Sequence, residues 1–304
     1  MVFPGQGSQS VGMQAELAAE YPVVQRTYEE ASELLGYDLW ALVQAGPKEK
    51  LMETVVTQPA MLTAGIAAYR VWQAAGGDEP QQLAGHSLGE YTALVVADAV
   101  SFVDALTVVI RRSQLMAGAV PAGVGGMAAI LGLDDDAVIK VCDEASLIGI
   151  AEPVNFNSPG QVVIAGHLDA LDRAVSAAKE VGALRAIMLP VSVPTHSSLM
   201  IGAGEALRDA LAVADFSAPQ ITVIAASDGR PYLDGDDIRE RLARQVFGPV
   251  QWVRTINSIV AGGATRIIEC GPGKVLSGLC RRISRATPVS VIDSCSSLQK
   301  ALQL

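Results

Sequence analysis

Cysteine and histidine are scarce in this chain of 304 residues, which has four cysteines and three histidines. The cysteines at positions 142, 270, 280 and 295 form no Cys-x-x-Cys pair and have no metal-ligand spacing. We therefore expect free thiols in a reducing compartment, the cytoplasm, and no disulfide framework. Three unclustered histidines give no indication of a catalytic metal, so none is predicted.

Long apolar runs and an excess of positive charge are also missing. No stretch approaches the ~18 consecutive apolar residues of a membrane-spanning helix, and the first residues lack the basic-then-apolar pattern of a secretory signal. The net charge is −10, from 22 Lys and Arg against 32 Asp and Glu. These features argue against a membrane or a nucleic acid as partner, and an acidic partner would need a local basic patch.

Hydrophobic residues make up 50% of the chain, which is enough to bury a sizeable core. Short apolar runs typical of strands alternate with helical patterns through residues 1–122 and again through 194–304. This alternation predicts one α/β core with a parallel sheet in three layers. Between the two halves, residues 123–193 follow the order βαββαβ, which we interpret as an inserted ferredoxin-like subdomain.

Two glycine-rich segments resemble nucleotide-binding loops without meeting their requirements. The segment "GQGSQS" has Ser10 where a dinucleotide loop needs its third glycine. The segment "GPGKVLSG" has Val275 after its lysine, where a phosphate-binding loop needs serine or threonine. Both predict tight turns, and no cofactor is predicted.

Ser87 lies in "GHSLGE", where Gly-x-Ser-x-Gly follows a short apolar run and precedes a helical pattern. This context is typical of a nucleophile elbow, in which two glycines let a strand and a helix approach closely. The helix N-terminus then faces the position where an oxyanion would form. A glycine-rich turn whose serine caps the helix fits the motif equally well, so both interpretations stay open at this point.

A serine nucleophile needs a base, and the three histidines are the candidates. His86 adjoins Ser87, but neighbouring side chains diverge on a sharp turn, so we expect it to pack beside the elbow. His167 comes at a strand-to-helix junction, where capping is expected. His196, in "PVSVPTHSSLM", lies in a loop held by two prolines and is the predicted base by elimination. No acid stands out to complete a triad, so a carbonyl group orienting the imidazole, giving a Ser–His dyad, is the alternative.

Nine segments, in order along the chain, resemble the malonyl-CoA:acyl carrier protein transacylases of fatty-acid synthesis and the related acyltransferase domains of polyketide synthases. They are "FPGQGSQSVGM", "QPAM", "GHSLGEY", "RRSQLM", "GVGGMAAILGL", "NFNSPGQVVIAG", "PVSVPTHSSLM", "RQVFGPVQW" and "ECGPGKVLSGL". The resemblance implies a hydrolase-like α/β core with a ferredoxin-like insertion. It also implies an acyltransferase that moves a malonyl group from malonyl-CoA to the phosphopantetheine thiol of acyl carrier protein through a malonyl-serine ester.

The resemblance implies a role for each residue that matches the family's motifs. Ser87 matches the acylated nucleophile, and His196 matches its base. The backbone N–H groups of Gln6 and Leu88 match the oxyanion hole. Gln245 matches the residue whose backbone carbonyl orients the histidine, which accounts for the missing acid.

Arg112 matches the arginine that pairs with the malonyl carboxylate in the family. The positions three and four residues away from it on the predicted helix are all apolar: Val108, Val109, Leu115 and Met116. Arg111, in contrast, shares its face with polar residues, so the sequence independently favours Arg112 as the buried arginine. A buried arginine needs an anion, and a bidentate carboxylate suits its geometry. The alternative is a structural ion pair with a buried acid.

The resemblance implies a strongly acidic carrier protein as partner, so we expect a basic docking surface on this acidic chain. The densest basic segment is "GKVLSGLCRRISR", and the predicted docking residues are Lys274, Arg281, Arg282 and Arg285. A basic helix end that interacts with its own dipole is the alternative. The protein is expected to be a monomer.

Two other functions compete with malonyl transfer. A serine hydrolase that releases acyl groups to water would need a carboxylate near His196, and it gives no reason for a buried Arg112. A catalytically silent docking subunit gives no reason for an intact Ser87. Within the family, Thr195 beside the histidine leaves methylmalonyl as an alternative to malonyl.

Overall fold

The computed structural model of the protein describes residues 1–191 and 193–303. Its strands are β1 (Val2–Phe3), β2 (Gln82–Gly85), β3 (Gly125–Leu131), β4 (Ala151–Ser158), β5 (Gln161–His167), β6 (Arg185–Met188), β7 (Thr222–Ile224), β8 (Ile267–Cys270) and β9 (Val289–Ile292). Its α-helices are α1 (Ala15–Glu20), α2 (Val23–Leu35), α3 (Leu39–Ala45), α4 (Lys48–Leu51), α5 (Thr54–Ala74), α6 (Gly89–Val96), α7 (Phe102–Ala117), α8 (Asp135–Ala145), α9 (Leu168–Glu180), α10 (Ile201–Val213), α11 (Gly235–Gln245), α12 (Trp252–Ala261), α13 (Val275–Ile283) and α14 (Cys295–Leu302). A short 3-10 helix, Ser198–Met200, leads into α10.

The larger sheet has the strand order β7-β2-β1-β8-β9, and every neighbouring pair is parallel. Successive residues along a strand face opposite sides, so Phe3 enters one apolar cluster with Leu83, whereas Val2 enters another. Helices cover both clusters, because both faces of a parallel sheet are apolar. This three-layer arrangement confirms the α/β fold class that the alternating pattern predicts.

The smaller sheet has the strand order β4-β5-β3-β6, and its neighbouring strands are antiparallel. Helices α8 and α9 cover one of its faces with a separate apolar cluster. This is the arrangement expected of a ferredoxin-like βαββαβ unit, and it confirms the predicted insertion. All of its strands and helices fall inside the segment 123–193, whose end points stay a prediction.

Two regions differ from what the sequence pattern predicts. Residues 11–35 have a helical pattern, whereas the structure begins its first helix only at Ala15 and divides the segment into α1 and α2, with Pro22 at the start of the second. The residue before a proline is disfavoured from the helical conformation, and Tyr21 has an extended backbone that ends α1. Strand β9 and helix α14 extend the core beyond α13, where the pattern gave no signal. The four-residue strand "VSVI" is too short for its periodicity to stand out.

Within the described ranges, none of the helices combines the length and the apolar character needed to cross a membrane. The longest helix, α5, has 21 residues and belongs to the main apolar cluster of the core. All four cysteines carry free thiols, and three of them are buried.

Strand β2 and helix α6 come into direct backbone contact around Ser87. A Cβ atom on Gly85 would lie 1.8 Å from the carbonyl carbon of Gly89. A Cβ atom on Gly89 would in turn lie 2.1 Å from the carbonyl oxygen of Phe3. Since backbone atoms are the obstacles, no side-chain movement could make room, and both positions require glycine.

We predict that Gly85→Ala lowers the free energy of unfolding by about 3 kcal/mol or more, because the added methyl group overlaps backbone atoms. Gly278 in α13 provides a matched control, since it is exposed and a Cβ there would meet no atom within 4 Å. Gly278→Ala should raise the same free energy by about 0.5–1 kcal/mol, through helix propensity. Urea unfolding at neutral pH measures both. An unchanged midpoint for Gly85→Ala would contradict the contact argument.

Candidate active site

A cleft of about 760 Å³ lies between the two sheets. The core contributes four of the residues predicted from sequence, Gln6, Ser87, Leu88 and Arg112, and His196 comes from the loop before the 3-10 helix. The smaller sheet forms the opposite wall with Met127, Asn155, Asn157, Gln161 and Val163. Gln245 lies behind this surface, buried at the end of α11. The fold therefore brings together six predicted site residues that are separated by up to 239 positions in the chain.

Ser87 stands on the turn between β2 and α6 with a φ of 51°, a left-handed backbone conformation that is rare outside glycine. His196 shares this feature, with a φ of 68°. The Ser87 Oγ lies 2.8 Å from the His196 Nε2. Left-handed non-glycine residues concentrate at functional sites, and here two of them form one hydrogen bond.

The other ring nitrogen of His196 determines the direction of that hydrogen bond. Its Nδ1 lies 2.7 Å from the carbonyl oxygen of Gln245 and 3.2 Å from that of Gly248. Carbonyl oxygens only accept, so Nδ1 carries the proton and Nε2 is left as an acceptor for the Ser87 hydroxyl. The imidazole is thus oriented by backbone carbonyls, with no carboxylate among its described hydrogen-bond partners.

The electrostatic surroundings keep this imidazole neutral. His196 is 4% exposed, and burial together with the nearby positive charge of Arg112 lowers its pKa to about 3. At neutral pH the Nε2 lone pair is therefore free to take a proton.

Arg112 is buried on the inner face of α7 and is 1% exposed, whereas Arg111 beside it is exposed. Its Nη1 donates to the Gln58 Oε1 at 2.6 Å, and its Nη2 donates to the Gln245 Oε1 at 2.9 Å and to the Ser87 Oγ at 3.2 Å. Its Nε has no partner among the described residues. Burial lowers the pKa of Arg112, which reflects the cost of holding this charge in the protein interior.

No carboxylate within residues 1–191 and 193–303 forms an ion pair with Arg112. The alternative of a structural ion pair with a buried acid is therefore wrong for this part of the chain. A guanidinium surrounded by neutral acceptors at the base of a cleft is available to a carboxylate that enters from outside.

The loop after β1 packs directly against the elbow. A Cβ atom on Gly5 would lie 2.4 Å from the carbonyl oxygen of His86 and 3.7 Å from the amide nitrogen of Leu88. In the described part of the chain, neither the Gln6 amide nor the Leu88 amide donates a backbone hydrogen bond. Backbone N–H groups without a described acceptor, in a loop and an elbow that pack together, would be suited to receive a developing negative charge.

The remaining histidines make structural contacts. The His86 Nε2 lies 2.8 Å from the Asn157 Oδ1, and its ring packs against Trp252 at 5.4 Å between centroids. Burial lowers the pKa of His86. His167 occupies the N-cap position of α9, but its side chain makes no capping bond, so that expectation is wrong. Its Nδ1 instead accepts the N–H of Ile150 at 3.0 Å, because the segment before β4 lies beside it, and the His167 N–H donates to the Ile150 carbonyl oxygen at 2.8 Å.

Sequence reasoning missed two polar residues that hold the site. Gln58 is 1% exposed within α5 and binds Arg112, and Glu90 is fully buried directly after the elbow. Each is a polar residue inside a strongly apolar helix pattern, which is the signal that could have identified it. Burial raises the pKa of Glu90, against the effect of the hydrogen bonds that it accepts.

The basic segment predicted as a docking surface is partly engaged within the protein. Lys274 pairs with Asp293 at 3.4 Å, and the Arg281 Nη2 donates to the carbonyl oxygen of Val289 at 3.0 Å. Both basic side chains nevertheless remain exposed. They lie beside the cleft rather than in it.

The other two basic residues differ in their position relative to the cleft. The Arg282 Nη1 donates to the Gln161 Oε1 at 2.9 Å, which links α13 to the smaller sheet at the edge of the cleft. Arg285 is exposed and lies beyond α13, which ends at Ile283, so the four basic residues do not share one helix. The chain leaves the helix because Ser284 has an extended backbone that leads towards β9.

The lowered pKa of His196 predicts a pH-dependent loss of stability. Below its ordinary pKa of 6.5, the unfolded chain protonates this histidine while the folded protein does not. Its contribution to stability is therefore complete above pH 6.5 and is lost as the pH falls towards about 3. At about 1.4 kcal/mol per pH unit, the free energy of unfolding should fall by about 2 kcal/mol more in wild type than in His196→Gln between about pH 6.5 and 5. Urea unfolding at both pH values measures the difference, and parallel pH profiles would contradict the neutral buried imidazole.

Sequence comparison relates this chain to acyltransferases over its whole length. The family model described as the acyl transferase domain matches residues 1–303. The malonyl CoA-acyl carrier protein transacylase of Escherichia coli is 52% identical over 303 residues, which cover 100% of this chain and 98% of that protein.

Structural comparison agrees. The acyl-carrier-protein S-malonyltransferase of Burkholderia pseudomallei has a TM-score of 0.98 and 53% identity, covering 100% of this chain and 98% of that one. A malonyl-transacylase solved in complex with a type II PKS acyl-carrier protein has a TM-score of 0.98 and 48% identity, with the same coverage of 100% and 98%. The chain therefore belongs to the acyl transferase family, among the malonyl CoA-acyl carrier protein transacylases.

Proposed function

We propose that this protein transfers a malonyl group from malonyl-CoA to the phosphopantetheine thiol of acyl carrier protein, through an ester on Ser87. One observation carries the proposal: a buried guanidinium with no described carboxylate partner donates a hydrogen bond to the Ser87 Oγ at 3.2 Å. A nucleophile beside such a charge favours acyl groups that carry a carboxylate at their far end. The names of the relatives, each a malonyl transferase acting on acyl carrier protein, support the same substrates.

In the first half-reaction, the His196 Nε2 takes the proton of the Ser87 hydroxyl while the Oγ attacks the thioester carbonyl. The N–H groups of Gln6 and Leu88 hold the resulting oxyanion. The carbon–sulfur bond then breaks, and the CoA thiolate leaves with the proton from His196. Ser87 is left as the malonyl ester.

Arg112 acts in this step through its charge and its position. The malonyl carboxylate replaces the Ser87 hydroxyl as a partner of the guanidinium and uses the Nε that lacks a partner in the described chain. The same pairing offsets the positive charge that lowers the pKa of His196. Malonyl binding therefore strengthens the base at the moment when the serine proton must move.

In the second half-reaction, the carrier thiol takes the place of CoA, and the steps run in reverse. His196 deprotonates the thiol, which attacks the malonyl-serine ester and restores the Ser87 hydroxyl. The basic residues beside the cleft mouth would hold the acidic carrier, and we expect the enzyme to act as a monomer in the cytoplasm. A hydrolase is less well supported, because backbone carbonyls occupy the position of a triad acid on His196.

We expect intact mass spectrometry to detect a malonyl adduct after mixing with malonyl-CoA, a much weaker acetyl adduct with acetyl-CoA, and neither adduct on Ser87→Ala. Arg112→Ala should lower the malonyl preference about 100-fold, since a buried charge pair is worth about 3 kcal/mol. Arg111→Ala is the matched control, because this neighbour is exposed, and it should keep the preference.

The malonyl adduct should then pass to the phosphopantetheine form of acyl carrier protein. An adduct that persists in Ser87→Ala, or efficient acetyl loading of the wild type, would contradict the proposed function. A variant Arg112→Ala that still prefers malonyl would contradict the role of the guanidinium alone.

We predict that the double variant Arg281→Glu/Arg282→Glu raises KM for the carrier about tenfold and leaves malonyl loading from CoA unchanged, because reversed charges repel an acidic partner. Arg26→Glu/Lys140→Glu changes the net charge equally at exposed positions that do not line the cleft. This control should leave KM for the carrier close to wild type. Steady-state transfer assays at low salt measure both, and equal effects on the two half-reactions would rule out a docking role.

A further inference from the structure

We propose that Glu90 is a positioning residue: its carboxylate sets the orientation of the Gln245 side-chain amide and, through that amide, places the Arg112 guanidinium for a substrate carboxylate. The inference rests on the proposed malonyl transfer and adds a residue that determines its selectivity. Glu90 touches neither Ser87 Oγ nor His196 in the structure, so it acts through Gln245.

Every described partner of the Glu90 carboxylate is a donor. Its Oε1 accepts the N–H of Ala226 at 2.7 Å and the O–H of Tyr232 at 3.1 Å. Its Oε2 accepts from the Gln245 Nε2. Of these partners only the Tyr232 oxygen could receive a hydrogen from a protonated carboxyl, because the Ala226 N–H and the Gln245 Nε2 can only donate. The two fixed donors and the Tyr232 hydroxyl therefore favour the ionised carboxylate, against the effect of burial, which raises its pKa.

The Gln245 amide can satisfy its neighbours in only one orientation. Its Nε2 donates to the backbone carbonyl of Ser87 at 2.8 Å and to Glu90, and its Oε1 accepts from the Arg112 Nη2 at 2.9 Å. A flipped amide would place its N–H groups against guanidinium N–H groups, and its oxygen against a carbonyl and a carboxylate. The negative charge of Glu90 makes the flipped state most costly, so the carboxylate decides which way Gln245 faces.

This arrangement balances the charge of Arg112 while occupying only one of its five N–H groups, on Nη2. The negative charge of Glu90 reaches the guanidinium through a polarised amide instead of a direct ion pair. A carboxylate bonded directly to Arg112 would compete with the malonyl carboxylate for the same N–H groups. The neutral Gln245 amide holds the guanidinium in place and leaves its other N–H groups able to bind the substrate carboxylate.

Gln245 also connects Glu90 to His196, the proposed base. The backbone carbonyl of Gln245 accepts from the His196 Nδ1 at 2.7 Å, so the side chain and main chain of one glutamine serve two functional groups. A change in the Gln245 side-chain amide should displace Arg112 more than His196, because a second backbone carbonyl, that of Gly248, also holds the imidazole.

The test compares Ser87 malonylation and acetylation, each as kcat/KM, in wild type, Glu90→Gln and Glu90→Asp. Glu90→Gln keeps the volume but sets an N–H group among donors, and Glu90→Asp keeps the charge but falls short of Gln245. We expect both to lower the malonyl-to-acetyl ratio about tenfold, the value of one hydrogen bond to a charged group. If Glu90 had only a structural role, its substitution would lower kcat/KM for malonylation and for acetylation equally and would leave their ratio unchanged. Either variant, if it folds and keeps the wild-type ratio, overturns the inference.

Glu269→Gln is the matched control, because Glu269 is also fully buried and accepts two backbone N–H groups, from Leu276 at 3.0 Å and Ser277 at 2.7 Å. It does not contact Gln245, so its loss should lower thermal stability without changing the ratio. A changed ratio in this control would mean that the readout reports general destabilisation, and the inference would fall.

A double-mutant cycle identifies the route. In a Gln245→Ala background, Glu90→Gln should change the ratio by less than about twofold, because the amide that transmits its effect is gone. A further tenfold loss in that background would overturn the route through Gln245. Wild type that fails to load malonyl on Ser87 would refute the proposed function, whereas normal loading with an unchanged ratio in the Glu90 variants refutes only this inference.

Discussion

A full positive charge lies buried within hydrogen-bond distance of the Ser87 hydroxyl, and the surroundings of that charge organise the site. Removing a guanidinium from water is costly unless its N–H groups find acceptors. Arg112 finds them in the amide oxygens of Gln58 and Gln245 and in the serine hydroxyl, all of them neutral. The same charge favours a neutral His196, so the cation and the base are consistent with each other.

The two sheets contribute different constraints to this arrangement. The parallel sheet delivers Ser87 from the carboxyl end of β2, where the open ends of α/β sheets hold their ligands. The smaller sheet closes the other side, and its edge strand β4 forms hydrogen bonds in both directions with Val250, at 2.8 Å and 2.9 Å. The chain segment that ends at Val250 includes Gly248 and follows Gln245, both of which accept from His196. The insertion thereby supports the loop that orients the imidazole, in addition to forming a wall.

Gln245 connects these parts, and its role differs from that of the acid in a serine hydrolase triad. An acid on His196 would place a negative charge beside the imidazole and beside Arg112, where it would compete with a carboxylate substrate. Here the negative charge is set back on Glu90 and acts through an amide. The site can thus orient its base with backbone carbonyls and keep its cation available, which agrees with the membership of the chain in a family of acyltransferases.

The order of apolar runs and turns was sufficient to predict the α/β core and the βαββαβ insertion, because both depend on local periodicity. The apolar face around Arg112 likewise follows from helical spacing alone. The Gly-x-Ser-x-Gly motif fitted a nucleophile elbow and a helix-capping turn equally well, and the family resemblance decided between them. The assignment of Ser87 to His196 rather than to His86 needed elimination and family resemblance, since hydrogen bonding over 109 positions has no local signal. Only the tertiary structure decided that Arg112 lacks a described acidic partner, that His167 does not cap its helix, and that Glu90 and Gln58 support the site. Each of these depends on which groups meet when distant segments pack together, and composition and spacing within one segment carry no information about that.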